Sequence, residues 1–259
     1  MAELWQLAGA AASGALVAFL LTVFGGGGSV LATPLLMAVA GVVDPHVAIG
    51  TSAAAVAVNA AGSLLVQARA GRVKWPCALV FGGAGLAGAL AGAEIAKRVD
   101  GSVLLLWFAV AMAAIAISML LPKRDAGNPD VHLTRAMTMK LAPVGAATGL
   151  AAGFFGIGGG FLIAPGLMAA TGMTLANAAA SSLVSVTLFG AATSVSYAAS
   201  GYVNWALFGA LVAGGVIGMA AGAPASRVMA NHAPMARRIF AVMVLAVAAY
   251  VAWKALGTG

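Results

Sequence analysis

Two elements carry the residues with the most chemistry to offer: "FGGGGSVLATPLLM" at 24–37 and "FGIGGGFLIAPGLM" at 155–168. A glycine inside a helix costs about 0.8–1.0 kcal/mol relative to alanine, so each cluster breaks the helix before it. A break leaves backbone N–H groups open at the start of the next helical segment. Those groups, with the helix dipole, bind anions. The candidate backbone donors are Gly25, Gly27, Gly28 and Ser29 in the first element, and Gly156, Gly158, Gly159 and Gly160 in the second. Pro34 and Pro165 follow, and each removes one further internal hydrogen bond. Glycine clusters also mark close helix packing. Two copies, each ahead of a proline, favour the binding role over packing alone.

Hydroxyls and carboxamides extend this list. Thr51 and Ser52 in "GTS" correspond to Ser181 and Ser182 in "ASS", and Asn59 and Gln67 follow the first pair. Such groups hydrogen-bond an oxyanion without bringing a countercharge. Many Ser and Thr residues in apolar helices simply bond to their own backbone. Asn and Gln are costlier to bury, which points them to a cavity or a partner helix.

These residues lie in a chain of 259 residues that is 63% hydrophobic and 7% charged. A soluble domain carries about 25% charged residues. The composition therefore predicts an all-α polytopic membrane protein in which 35 glycines let helices pack closely. The long apolar runs lack the alternation of a membrane β-barrel. "MAELWQLAGAAASGALVAFLLTVF" has Glu3 where a cleaved signal would be basic, and reads as the first membrane helix. A net charge of +7, placed in short loops beside apolar spans, suits anionic lipid rather than nucleic acid.

The chain is one unit written twice. Phe24 aligns with Phe155, Gly71–Trp75 with Gly201–Trp205, and Gly85, Gly88 and Gly92 with Gly215, Gly218 and Gly222, at an offset of 130 to 131 residues. This divides the chain into a first membrane repeat, 1–121, a polar cytoplasmic linker, 122–140, and a second repeat, 141–259. The apolar segments are about 4–24, 29–41, 45–68, 75–98 and 102–121, then about 141–155, 160–171, 174–200, 205–229 and 236–256. In each repeat four are long, or nearly so, and one follows the glycines and is short for a bilayer needing about 20 residues. A re-entrant short segment gives eight spans and parallel repeats; a crossing one gives ten spans and inverted repeats. Segment length favours eight. The positive-inside rule favours ten, with Lys97, Arg98 and Lys254 outside and the other basic residues in the cytoplasm.

Duplicated membrane units broken by glycines at matching positions point to a transporter. All six acids lie between Glu3 and Asp130, and only Glu94 falls well inside a span. It stands beside Lys97 and Arg98 at helical pairing distance. Intramembrane carboxylates, the usual ligands of transported cations, are thus nearly absent, which favours an anion. No enzyme is expected: G-x-S-x-G and H-E-x-x-H are missing. His46, His132 and His232 have no ligand spacing, and the single Cys77 builds no cluster, so neither a metal nor a cofactor is expected.

The duplicated "FGxGG…P" element, "GTSAAAVAVNA" at 50–60 and "GRVKW" at 71–75 resemble the TauE/SafE family of bacterial anion exporters, over nearly the whole chain. The resemblance implies a multi-pass inner-membrane permease of two related halves, its partners a small sulfur-containing oxyanion and the lipid bilayer, with a homodimer left open. It implies export of sulfite or a small organosulfonate. Uptake of sulfate or thiosulfate is the rival within transport, and a membrane scaffold or assembly component the rival outside it. One departure stands out: Phe189 occupies the place of Asn59 in the second repeat.

Overall fold

The computed structural model describes residues 2–120, 127–128, 130–156, 160–230 and 233–257. Gly158 and Gly159 lie outside them. The described chain is helical: α1 (Ala2–Phe24), a 3-10 segment (Gly25–Leu31), α2 (Ala32–Ala38), α3 (Pro45–Arg69), α4 (Trp75–Ala96), α5 (Gly101–Leu120), α6 (Arg135–Phe155), α7 (Gly160–Thr171), α8 (Leu175–Ala199), α9 (Trp205–Ala230) and α10 (Ala233–Gly257). Among the described residues six stretches are long and apolar enough to cross a membrane, with shorter apolar helices at Gly101–Ile117 and Leu162–Thr171. Leu65, Leu79, Trp107, Val110, Ile217 and Trp253 stand exposed on the outside, as lipid-facing positions would. The described chain is that of a helical, multi-pass membrane protein.

The local sequence explains where the helices start. Asp44 accepts the His46 and Val47 N–H groups ahead of Pro45, which takes the first turn of α3. Thr134 and Thr174 cap α6 and α8 through the N–H groups of Met137 and Asn177. Asn204 Oδ1 accepts from the Ala206 and Leu207 N–H groups at the head of α9.

The most extensive helix contacts are α1 with α9 and α4 with α6, followed by α3 with α8 and α5 with α10. Each of these pairs takes one helix from before the linker and one from after it. Glycine sets the spacing. A Cβ on Gly14, Gly214 or Gly218 would run into the backbone across the α1–α9 contact. A Cβ on Gly88, Gly92, Gly145, Gly149 or Gly153 would do the same between α4 and α6. Gly149→Val should therefore destabilise the protein by about 3 kcal/mol, at the upper end of overpacking costs. Gly83→Val, with nothing among the described residues within 4 Å of the new Cβ, should be nearly neutral. Unfolding in mixed micelles would compare the two.

The close approaches also give chain direction. Ala11, Ala15 and Phe19 face Gly214, Gly218 and Gly222 in turn, so α1 and α9 run the same way. Phe81, Gly85 and Ala89 face Gly145, Gly149 and Gly153, so α4 and α6 also do. Gly50 lies against Tyr197 while Gly190 lies against Ala53 and Ala57, so α3 and α8 run oppositely. After Gly25 the chain doubles back along α1: Gly28 sits against Leu20 and Leu21, and Val39 and Ala40 reach Gly9. Helix α3 then returns, bringing Ser63 to Thr22. One end of the bundle holds the 70–74 turn beside α8, with Asn128 bonded to Gly172. The other holds 200–204 beside Gly50 and Thr51, with Gly101 against Pro45.

Candidate functional site: two glycine turns

Helices α1 and α6 both end on a glycine in the left-handed region, Gly25 at φ 68° and Gly156 at φ 66°. Glycine adopts that conformation at no steric cost. Space excludes other residues as well: a Cβ on Gly25 would overlap the Ala179 carbonyl, and one on Gly156 the Ile49 side chain. The two elements meet inside the protein, where a Cβ on Gly160 would fall on the carbonyl of Gly26. Gly25, Gly26, Gly27, Gly28 and Ser29 are all buried. Gly26 N–H donates to Ser182 Oγ at 3.0 Å, and Ser29 Oγ donates to the Gly26 carbonyl at 2.8 Å. Gly27 has more room, its nearest neighbour being the Phe240 ring, 3.3 Å from an added Cβ.

The sequence treats each hydroxyl pair as a unit; the structure separates its members. Thr51 Oγ1 accepts from the Asn204 N–H at 2.9 Å, and Ser181 Oγ accepts from the Lys74 N–H at 2.9 Å. These position-matched bonds pin the turns before α9 and α4. Ser52 and Ser182 face inward. Ser182 donates to the Ala179 carbonyl at 2.7 Å, which leaves its oxygen to receive Gly26. Ser52 donates to the Ile49 carbonyl at 3.1 Å, so the 2.7 Å contact with Thr33 Oγ1 has Thr33 as donor. Thr33 precedes the buried Pro34 in α2. Thr51→Ala and Ser181→Ala should each lower stability by about 1 kcal/mol, the net worth of one hydrogen bond. Substrate half-saturation should not move in either variant. Thermal unfolding and flux, measured on the same preparations, would check this.

Asn59 and Gln67 lie apart from the glycine turns. Asn59 rests on Gly215 of α9, its Nδ2 3.5 Å from the Leu211 carbonyl, while its Oδ1 is buried without a partner among the described residues. Phe189 lies on Gly85 in the matching place. Gln67 Nε2 donates to the Thr22 carbonyl at 2.7 Å and Oε1 accepts from Arg72 Nη1 at 3.2 Å. Gln67 thus ties α3 to the last turn of α1, just before the break at Gly25. Pro165 sits partly buried inside α7. The structure therefore gathers Gly25 to Ser29, Gly160 and Ser182, with Ser52, Thr33 and Pro34 along the continuing chain. It places Thr51, Ser181, Asn59 and Gln67 elsewhere. Sequence reasoning missed Thr22, Thr33 and Phe240, which touch these groups from positions with no motif of their own.

Glu94 lies away from the glycines. Its carboxylate pairs with Lys97 at 2.7 Å and accepts from Ser196 Oγ at 2.7 Å. Among the described residues no three His, Cys, Asp or Glu side chains come together as a metal site would need.

An apolar helical bundle whose two broken elements meet at its centre has the construction of a membrane transport protein. The chain belongs to the TauE/SafE family: the family model described as sulfite exporter TauE/SafE matches residues 10–251. A probable membrane transporter protein of Xylella fastidiosa (strain Temecula1) is 44% identical over 93% of this chain and 93% of its own length. The probable membrane transporter protein YunE of Bacillus subtilis is 29% identical over 80% of this chain and 84% of its own. YdhB of the same organism, also named a probable membrane transporter protein, is 24% identical over 71% and 76%. No solved structure matches the chain.

Proposed function

We propose that the protein is an anion permease of the bacterial inner membrane that exports sulfite or a small organosulfonate. The observation that carries the reading is the contact of Gly26 with Gly160 deep in the bundle. Two helix ends that converge on one point can open it alternately to either side. The residues that would hold the anion are the buried backbone from Gly25 to Ser29, Gly160, and the hydroxyls of Ser182, Ser52 and Thr33. Purified protein in liposomes should pass sulfite or a sulfonate. Inward flux of sulfate or thiosulfate alone would favour uptake, and no flux with any of these anions would leave a scaffold role.

The chain directions support ten crossings in two inverted halves. The segment from Gly25 to Ala40 runs back along α1 as far as Gly9, and α3 returns to Thr22. A re-entrant loop would instead bring the chain back to the end of the bundle where α1 finishes. The charges agree. Arg69, Arg72, Lys74, Arg135 and Lys140 belong to the linker end, against Lys97, Arg98 and Lys254 at the other. The linker end is thus cytoplasmic. This makes a testable statement about two exposed residues. Cysteine at Trp205 should react with a membrane-impermeant maleimide in intact cells, and cysteine at Leu175 only after the membrane is opened. Eight crossings with the linker inside would reverse both.

A further inference from the structure

In the first half a chain of hydrogen bonds closes the break after α1. Ser63 and Thr22 join through their hydroxyls at 2.9 Å, Gln67 donates to the Thr22 carbonyl, and Arg72 donates to Gln67. Since Thr22 Oγ1 donates to the Ala18 carbonyl, Ser63 is the donor to Thr22. The position-matched residues of the second half are Gly153, Thr193, Tyr197 and Tyr202. Gly153 carries no hydroxyl, and a Cβ there would strike the Ala89 carbonyl. Thr193 Oγ1 and Tyr197 Oη consequently end up buried with no partner among the described residues, although both residues have no exposed surface. They stand one turn apart on the same face of α8.

Their surroundings point the same way. His46 Nδ1 is also buried and unpartnered among the described residues. The His46 ring centre lies 6.4 Å from that of Tyr197 and 5.4 Å from that of Tyr202. Lys97 Nζ reaches the adjoining turn of α8, donating to Ser200 Oγ at 3.0 Å and the Ser196 carbonyl at 3.3 Å, with Glu94 as its ion partner. A buried hydroxyl without a partner costs free energy that a ligand can restore. The hydroxyls of Thr193 and Tyr197 are donors, and His46 offers an N–H when its hydrogen sits on Nδ1. A group of donors fits a ligand that only accepts hydrogen bonds; Lys97, paired with Glu94, adds no net charge, and Asp100 stands near His46.

We propose that Thr193, Tyr197 and His46 form a second, outer station for the transported oxyanion, at the end of the bundle away from the linker. This rests on the permease reading. The halves would then differ in use: one end is latched by protein groups, while the other completes its hydrogen bonds with substrate. Neither the glycine turns nor the hydroxyl pairs beside them contribute to this cluster.

The test is sulfite exchange in vesicles of known orientation, with half-saturation measured from each side for wild type, Thr193→Val and Tyr197→Phe. Neither change removes a bond within the described protein, so thermal stability should hold or rise. Half-saturation from the side away from the linker should rise roughly ten- to hundredfold, as for loss of a hydrogen bond to a charged group. From the linker side it should change far less. Ser63→Ala, at the latched end, should lower thermal stability and leave outer half-saturation unchanged. Unaltered half-saturation in both single variants, with wild type active, overturns the outer station alone. Equal weakening from both sides also overturns it. If wild type exchanges neither sulfite nor a sulfonate, the permease reading falls, and the outer station with it; if it exchanges only a sulfonate, the same half-saturation comparison is made with that anion.

Discussion

Gly27→Val is expected to give a protein that inserts and folds yet passes no substrate, with flux down by a factor of a hundred or more. The reasoning lies in the difference between neighbouring glycines. A side chain on Gly25 would meet the Ala179 backbone, one on Gly26 the backbone of Gly160, and one on Gly28 the backbone of Leu20 and Leu21. Those substitutions attack the fold, because backbone cannot move aside cheaply. At Gly27 the one close neighbour among the described residues is the edge of the Phe240 ring, 3.3 Å from a Cβ and able to shift. Valine there leaves the turn intact but puts two methyl groups on the face where an anion would approach the backbone. A loss of that size is about 2.7 kcal/mol at the transition step. Gly26→Val should instead fail to accumulate as folded protein. The checks are size-exclusion behaviour and liposome flux, run together. Gly27→Val with wild-type flux would put the site elsewhere. Gly158, which the repeat aligns with Gly27, lies outside the described residues, and Gly158→Val is the matching variant on the other half.

The sequence made some of this legible, and the physical reason differs from case to case. Membrane class followed from composition, since lipid-facing helices cannot be charged. The glycines at 85, 88 and 92 and their matches declared close packing because small residues every three or four positions have no other common use in a membrane helix. In the structure Gly88 and Gly92 abut the α6 backbone and Gly85 lies under Phe189, while Gly218 abuts α1 and Gly215 lies under Asn59. The pairing of Glu94 with Lys97 was legible from spacing alone. The sharing out of the hydroxyl pairs was not. Thr51 and Ser52 are neighbours in sequence but project from a helix about 100° apart, so one meets the turn before α9 and the other meets α2. Which does which depends on what packs alongside: the turn before α9 comes from the opposite repeat and α2 from the same one. Gln67 likewise finds its partner, the Thr22 carbonyl, only through the packing of α3 on the end of α1. Comparing the repeats residue by residue does carry one usable signal. Gln67 aligned with Tyr197, and Thr22 aligned with Gly153, mark the place where the two halves cannot be built alike.

An imposed membrane potential, with no pH gradient, is expected to drive anion efflux in proteoliposomes, and Glu94→Gln should retain most of that flux. Glu94 is the acid deepest in any helix, so it is the natural candidate for a coupling carboxylate. Its setting argues otherwise. The side chain is 54% exposed, near the end of α4, and already joined to Lys97 and Ser196. A coupling carboxylate has to lie on the substrate path and change partners during the cycle. Glu94 lies on neither glycine turn, and beside the proposed outer station it stays bound to Lys97 and Ser196, holding Lys97 against α8. Replacing it with Gln keeps an acceptor for Ser196 and weakens one half-exposed ion pair, a small loss in a solvent-screened setting. The driving force needs no proton. Moving one negative charge out through 100 mV gains about 2.3 kcal/mol, close to fiftyfold in concentration at equilibrium. A monovalent anion such as bisulfite or a sulfonate would therefore reach about that gradient in a valinomycin-clamped vesicle. A folded Glu94→Gln protein without flux, together with wild-type transport that responds only to a pH gradient, would replace potential-driven export with proton coupling through Glu94.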